Sequence, residues 1–157
     1  MKKLFLFQIF LLLIVTGHSQ TKPSLIPLPQ QLKWNNGSFD LRSCKLILIK
    51  DNQLSEEAEF LKVKIKTAGV NVLIKGNATN SEGYIELRIE KFESPSSEEA
   101  YKLSVNTKRV VISANTSHGI FNGIQTFLQL LKGGTKASAC DISDWPAFSW
   151  RGYMIDV

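Results

Sequence analysis

Adjacent carboxylates are the first candidates for bond-breaking chemistry, because one can donate a proton while its neighbour stays charged. The sequence holds two such pairs, Glu56-Glu57 and Glu98-Glu99, and no Asp-Glu dipeptide. The first pair opens an amphipathic stretch and the second follows the polar run Ser94-Pro95-Ser96-Ser97, so both read as solvated surface. His118 has no cysteine or carboxylate cluster near it in sequence, which makes neither a zinc site nor a nucleophile triad, and it is expected to be exposed. Cys44 and Cys140 leave two readings open: one disulfide in an oxidising compartment, or two buried small hydrophobes. Near the end, Trp150-Arg151-Gly152-Tyr153-Met154-Ile155-Asp156-Val157 brings a guanidinium close to a carboxylate. On residues alone, Arg151 pairing with Asp156 or another carboxylate is the simplest account. No catalytic residue and no metal site are assigned.

The chain begins Met1-Lys2-Lys3, continues with an apolar run from Leu4 to Val15 broken only by Gln8, and then reads Thr16-Gly17-His18-Ser19-Gln20. These are the three parts of a secretory signal peptide, and small Gly17 and Ser19 place cleavage after Ser19. The apolar run is shorter than the ~20 residues a bilayer span takes, so stable membrane insertion is not expected. Export to the periplasm or the extracellular space is. Losing Lys2 and Lys3 leaves a weakly basic balance without a basic block; Lys62, Lys64 and Lys66 mark the solvated side of a helix. Nucleic acid is excluded as a partner. The remaining length suits one domain on the scale of ~100 to 200 residues.

Several elements can be placed. Pro23, Pro27 and Pro29 enforce an extended N-terminal segment, and Asn35-Asn36-Gly37-Ser38 is a turn cluster. Leu46-Ile47-Leu48-Ile49 is a buried strand. A helix follows, capped by Ser55, with Leu54, Ala58, Leu61, Ile65 and Ala68 on its apolar face and Gly69 as a left-handed stop. Val70 to Ile74 is a strand closed by Lys75-Gly76-Asn77. Tyr84 to Glu90 alternates, with Ile85, Leu87 and Ile89 buried. Tyr101 to Val105 and Arg109 to Ser113 form a hairpin through Asn106-Thr107-Lys108. A second helix, capped by Ser117, runs to about Leu131 with Ile120, Ile124, Phe127, Leu128 and Leu131 facing the core, and Gly133-Gly134 ends it. Residues 133 to 149 are expected to be a linker. The fold class is α+β: a mainly antiparallel sheet packed with two helices.

Three segments resemble glycoside hydrolase family 20, the β-N-acetylhexosaminidases. Pro27-Leu28-Pro29-Gln30-Gln31-Leu32, with Gly37-Ser38-Phe39 later, is similar to the opening of that family's N-terminal domain. The helix Gly119-Ile120-Phe121-Asn122-Gly123-Ile124-Gln125-Thr126-Phe127-Leu128-Gln129-Leu130 resembles the family's Gly-x-Phe-Tyr-Gly-x-Gln-Thr-Leu-x-Gln-Leu, with Asn122 where an aromatic is usual. Asp144-Trp145-Pro146-Ala147-Phe148-Ser149 and Arg151-Gly152-x-x-x-Asp156 resemble the lead into the first strand of its catalytic (β/α)8 barrel. The N-terminal domain also resembles those of family 84 enzymes and α-glucuronidases, but Met154-Ile155-Asp156-Val157 is the family 20 form.

The resemblance implies residues 1–19 as signal peptide, 20–138 as the N-terminal α+β domain, and 139–157 as linker plus the first strand of a truncated barrel, which takes ~250 residues when whole. It assigns Arg151 to substrate: a rigid fork of donors that grips two neighbouring hydroxyls of the terminal N-acetylhexosamine. Asp156 takes a supporting role, because the family's catalysis uses an Asp-Glu pair later in the barrel, with the substrate's own acetamido oxygen as nucleophile. The chain alone is therefore expected to be inactive, and residues 150–157 poorly anchored without their barrel. Trp145 and Trp150 are expected to pack across a domain interface rather than stack on sugars. The expected partners are N-acetylhexosamine-containing oligosaccharides, through the full-length parent, and the chain's own barrel domain. No cofactor is implied. The sequons at Asn36, Asn77 and Asn115 receive no function, since the Met-Lys-Lys start reads as bacterial. The rival expectations are a stand-alone extracytoplasmic domain that binds carbohydrate or protein, and a different barrel hydrolase using the same N-terminal domain.

Overall fold

The computed structural model describes residues 23–76, 82–93, 97–148 and Gly152. The expected signal peptide and all of the expected barrel strand except Gly152 lie outside these residues.

Seven strands form one sheet: β1 (Gln31–Asp40), β2 (Leu46–Ile49), β3 (Leu73–Lys75), β4 (Tyr84–Ile89), β5 (Tyr101–Val105), β6 (Arg109–Ala114) and β7 (Lys136–Asp144). Their spatial order is β1-β7-β5-β6-β4-β2-β3. Two helices, α1 (Ser55–Thr67) and α2 (Ser117–Leu131), share one apolar core with the sheet. This is the α+β fold expected from the periodicities. Antiparallel pairing joins β1, β7, β5 and β6, while β4, β2 and β3 add on in parallel. The parallel half follows from its connections: a helix between β2 and β3 lets the chain return in the same direction, as a two-residue turn cannot.

β4 shows how sequence pattern becomes packing. Ile85 and Leu87 are fully buried under the helices, whereas Glu86 and Arg88 alternate onto the opposite face, where they pair at 3.6 Å. α2 contributes Ile120, Ile124 and Phe127, each 0% exposed. Each such side chain is worth about 1.5–3 kcal/mol in burial. α2 also lies unusually close to the sheet. A Cβ on Gly119 would sit 2.5 Å from the Ala100 carbonyl oxygen, and one on Gly123 would sit 2.5 Å from Ile112 Cγ2. Glycine at both positions lets the helix backbone rest on β5 and β6.

Several expectations are corrected. Residues 133–149 are not a linker throughout, because Lys136–Asp144 is β7, paired on both sides by β1 and β5. Asn35-Asn36-Gly37-Ser38 does not reverse the chain: it is a register shift inside β1, between Trp34 and Ser38, with Gly37 at φ 93. The extra residues bend the strand without ending it. The strand expected over 70–74 is confined to Leu73–Lys75, although Val70 and Val72 are buried.

Helix caps shift by one position. Thr116, not Ser117, caps α2 by accepting from Gly119 N, and α1 starts at Ser55 itself with no side-chain cap. Gly69 has the expected left-handed backbone, φ 79. α2 ends on Lys132, left-handed at φ 46, followed by Gly133 at φ 73. Cys44 and Cys140 are free and buried, so the buried-hydrophobe reading holds. Desolvation pushes their thiols up to about 11 and about 12 respectively, away from reactivity.

Candidate functional site

Two concavities occupy opposite faces of the sheet. The first is a trough of about 490 Å3 on the face without helices. Strand register places Gln31, Ser143, Lys102, Ser113 and Arg88 side by side across five strands. Its charges are largely satisfied within the trough. Asp141 accepts from Ser104 Oγ at 2.7 Å and Asn35 Nδ2 at 2.8 Å, and those two hydrogen bonds hold its carboxyl below the usual range. Arg88 pairs with Glu90 at 3.0 Å, and Lys102 lies 4.2 Å over the Phe92 ring. Neutralised in this way, the trough offers no reacting group.

The second concavity, about 470 Å3, opens where α2, the N-terminal extended segment and the end of β7 meet. At its floor the Tyr101 hydroxyl lies 2.7 Å from Thr126 Oγ1 and donates to Asp144 Oδ2 at 3.3 Å. Close approach of α2 at Gly123 brings these groups together, since the missing Cβ also leaves room for the Tyr101 ring, 3.2 Å away. Burial raises the Tyr101 hydroxyl's pKa well above its ordinary value, so it stays protonated.

Polar contacts fasten both ends of the described chain to this floor. Ile26 is held on both its backbone groups by Gln129: its N–H donates to Oε1 at 3.0 Å, and its carbonyl accepts from Nε2 at 3.1 Å. Gln30 N donates to Asp144 Oδ1 at 3.0 Å, and Gln30 Nε2 reaches the Trp145 carbonyl at 3.5 Å. Leu28, which lines the cleft, is 75% exposed, and Ile26 and Phe148, next in sequence to lining residues, are 77% and 73% exposed. Between the helices Phe121 and Phe60 pack with ring centres 5.2 Å apart and planes tilted by 47°, leaving Phe121 39% exposed. Exposed large apolar side chains gathered around a polar clasp mark a docking surface more than a reaction centre.

The residues singled out by sequence fall unevenly on this site. Gln125, Thr126, Asn122 and Trp145 line the cleft, with Asn122 donating weakly to the Glu99 carbonyl at 3.4 Å. Arg151, Asp156 and Trp150 lie outside the described residues. His118 is exposed, as expected. Glu56 and Glu98 are exposed, whereas Glu57 and Glu99 are half-buried, a departure from the solvated reading of both pairs. Among the described residues no group of three or more His, Cys, Asp or Glu side chains could hold a metal ion, and no helix is long and apolar enough to cross a membrane. Gln129 belongs to the same helix motif as Gln125-Thr126, and Asp144 opens the Asp144-Trp145-Pro146 segment, but neither was singled out as a site residue, and Tyr101 had no signal of its own in the sequence.

Comparison with known proteins places the same segment. Residues 22–145 match the family described as glycosyl hydrolase family 20, domain 2. A β-hexosaminidase of Porphyromonas gingivalis is 31% identical over 145 residues, which is 85% of this chain and 18% of that protein. Among solved structures, a family 20 β-N-acetylhexosaminidase from Streptomyces coelicolor superposes with a TM-score of 0.71 at 22% identity, covering 83% of this chain and 29% of that one. A family 20 exo-β-N-acetylglucosaminidase from Vibrio harveyi, solved with N-acetylglucosamine, superposes at 0.65 with 23% identity, over 83% of this chain and 20% of that one. The chain thus spans less than a third of the length of these relatives.

Proposed function

The chain belongs to glycosyl hydrolase family 20 and folds as its N-terminal domain, and from that premise we propose that it is the non-catalytic N-terminal portion of an exported β-N-acetylhexosaminidase. The full-length form hydrolyses terminal N-acetylhexosamine residues by substrate-assisted, retaining catalysis. The observation that carries this reading is the family match itself, which runs from Lys22 to Trp145 and so includes most of the residues that line the cleft. This portion supplies no catalytic pair, since the sequence has no Asp-Glu dipeptide. It provides a platform for the barrel, and the Tyr101–Thr126–Asp144 contacts hold the end of β7, the last strand before the segment that carries Arg151 in sequence.

Arg151 supplies the one substrate contact from this chain. Its guanidinium grips neighbouring hydroxyls of the reacting sugar, an interaction that orients the ring and tightens as the transition state forms. In the full gene product, Arg151→Ala should raise KM and lower kcat on an aryl N-acetyl-β-glucosaminide, with kcat/KM falling at least about tenfold. Unchanged kcat/KM with a lower melting temperature would assign Arg151 to structure. Hydrolysis of aryl glucuronides in place of N-acetylhexosaminides would move the parent to another barrel hydrolase class.

A further inference from the structure

The sequence contains the dipeptide Asn-Gly twice, and the fold treats the two copies in opposite ways. Asn122-Gly123 lies inside α2, where Gly123 is buried and the backbone is locked into the helical hydrogen-bond ladder. Asn122 is further anchored by its contact with the Glu99 carbonyl. Asn36-Gly37 lies in the β1 bulge. There Asn35, Asn36 and Gly37 are all exposed, and the pairing with β7 skips them, stopping at Trp34 and resuming at Ser38. Neighbouring Asn35 has its amide engaged by Asp141, 2.8 Å away. No hydrogen bond is seen for the Asn36 amide among the described residues.

Glycine cannot readily be replaced in this bulge. Its φ of 93 disfavours side chains, and a Cβ there would sit 2.7 Å from Thr107 Cγ2. The fold therefore needs a residue without a side chain directly after an exposed asparagine, which is the least hindered arrangement for attack by the following backbone nitrogen.

We propose that Asn36-Gly37 is a site of spontaneous covalent modification, converting to aspartate and isoaspartate through a cyclic imide. The Gly37 backbone nitrogen attacks the Asn36 side-chain carbonyl carbon, forming a new C–N bond. The amide nitrogen leaves as ammonia, taking up the proton that the backbone nitrogen loses. One water molecule then adds across either C–N bond of the imide. Opening at one gives aspartate; opening at the other gives isoaspartate, with the main chain rerouted through the former side chain. No oxidant or reductant takes part. Either product adds a carboxylate to the edge strand β1, and isoaspartate also lengthens the backbone within the bulge.

The test is ageing of the full chain in warm, mildly alkaline buffer, followed by peptide mass mapping and by methylation with an isoaspartate-specific methyltransferase and S-adenosylmethionine. In the folded chain the Asn36 peptide should convert at least about tenfold faster than the Asn122 peptide, because Asn122 reacts only after local opening of α2. In denaturant the two should converge. Asn36→Gln should remove the isoaspartate signal from that peptide. Equal or faster conversion at Asn122 in the folded chain, a gap that persists in denaturant, or a signal that survives Asn36→Gln would each overturn the proposal.

Discussion

The two halves of the sheet are built by different rules. In the half formed by β1, β7, β5 and β6 the pairing is antiparallel, β7 being drawn from a distant part of the chain to lie between β1 and β5, and α2 lies across it with eight buried residues, a threonine cap and two glycines at the contact. In the half formed by β4, β2 and β3, the pairing is parallel, the edge strand is three residues long, and α1 buries three residues without a side-chain cap. The first half holds the clasp between the Ile26–Gln30 segment, α2 and the end of β7, and with it the candidate docking cleft. The contrast predicts that the first half opens less readily than the second.

The largest test of this contrast is steric. Gly123→Val would drive a side chain into Ile112 and the Tyr101 ring, and is expected to cost about 3 kcal/mol or to prevent folding, read by chemical denaturation. In the other half a Cβ on Gly76 would meet only the Ile49 carbonyl oxygen, at 3.6 Å. Gly76→Ala should change stability by no more than about 0.5 kcal/mol. Equal costs would erase the distinction.

Next in size is the difference in local opening, which the two free thiols report without mutation. Cys44 precedes β2 in the looser half, and Cys140 lies within β7. Under native conditions Cys44 should react with a thiol reagent about tenfold faster than Cys140, corresponding to an opening roughly 1.4 kcal/mol less costly. Matching rates would mean that the sheet opens as one unit. The smallest effect lies at the helix starts: Thr116→Ala should cost about 1 kcal/mol by loss of the cap to Gly119, and Ser55→Ala only a few tenths.

What could be read from the sequence follows local periodicity. β2, α1, β4 and the β5–β6 hairpin were legible because each carries its own periodicity within a few residues. β7 was not: Lys136-Ala137-Ser138-Ala139-Cys140-Asp141-Ile142-Ser143-Asp144 offers small and polar residues with few β-branched ones, and its place between β1 and β5 depends on partners far away in the chain. The bulge looked like a reversal because asparagine and glycine serve both a turn and a register shift. Thr116 and Ser117 can both cap, and only geometry separates them. In the cleft the Gln125-Thr126 motif was visible, whereas the Tyr101–Thr126–Asp144 contacts join three elements that no local signal brings together.

The most direct test of the functional account is hydrolysis of an aryl N-acetyl-β-glucosaminide, measured side by side for this chain alone and for the full gene product. The account predicts retaining hydrolysis by the full product and none by the chain. A full product that binds N-acetylhexosamine oligosaccharides yet leaves every such glycoside intact would contradict it, and would make this fold a binding domain instead.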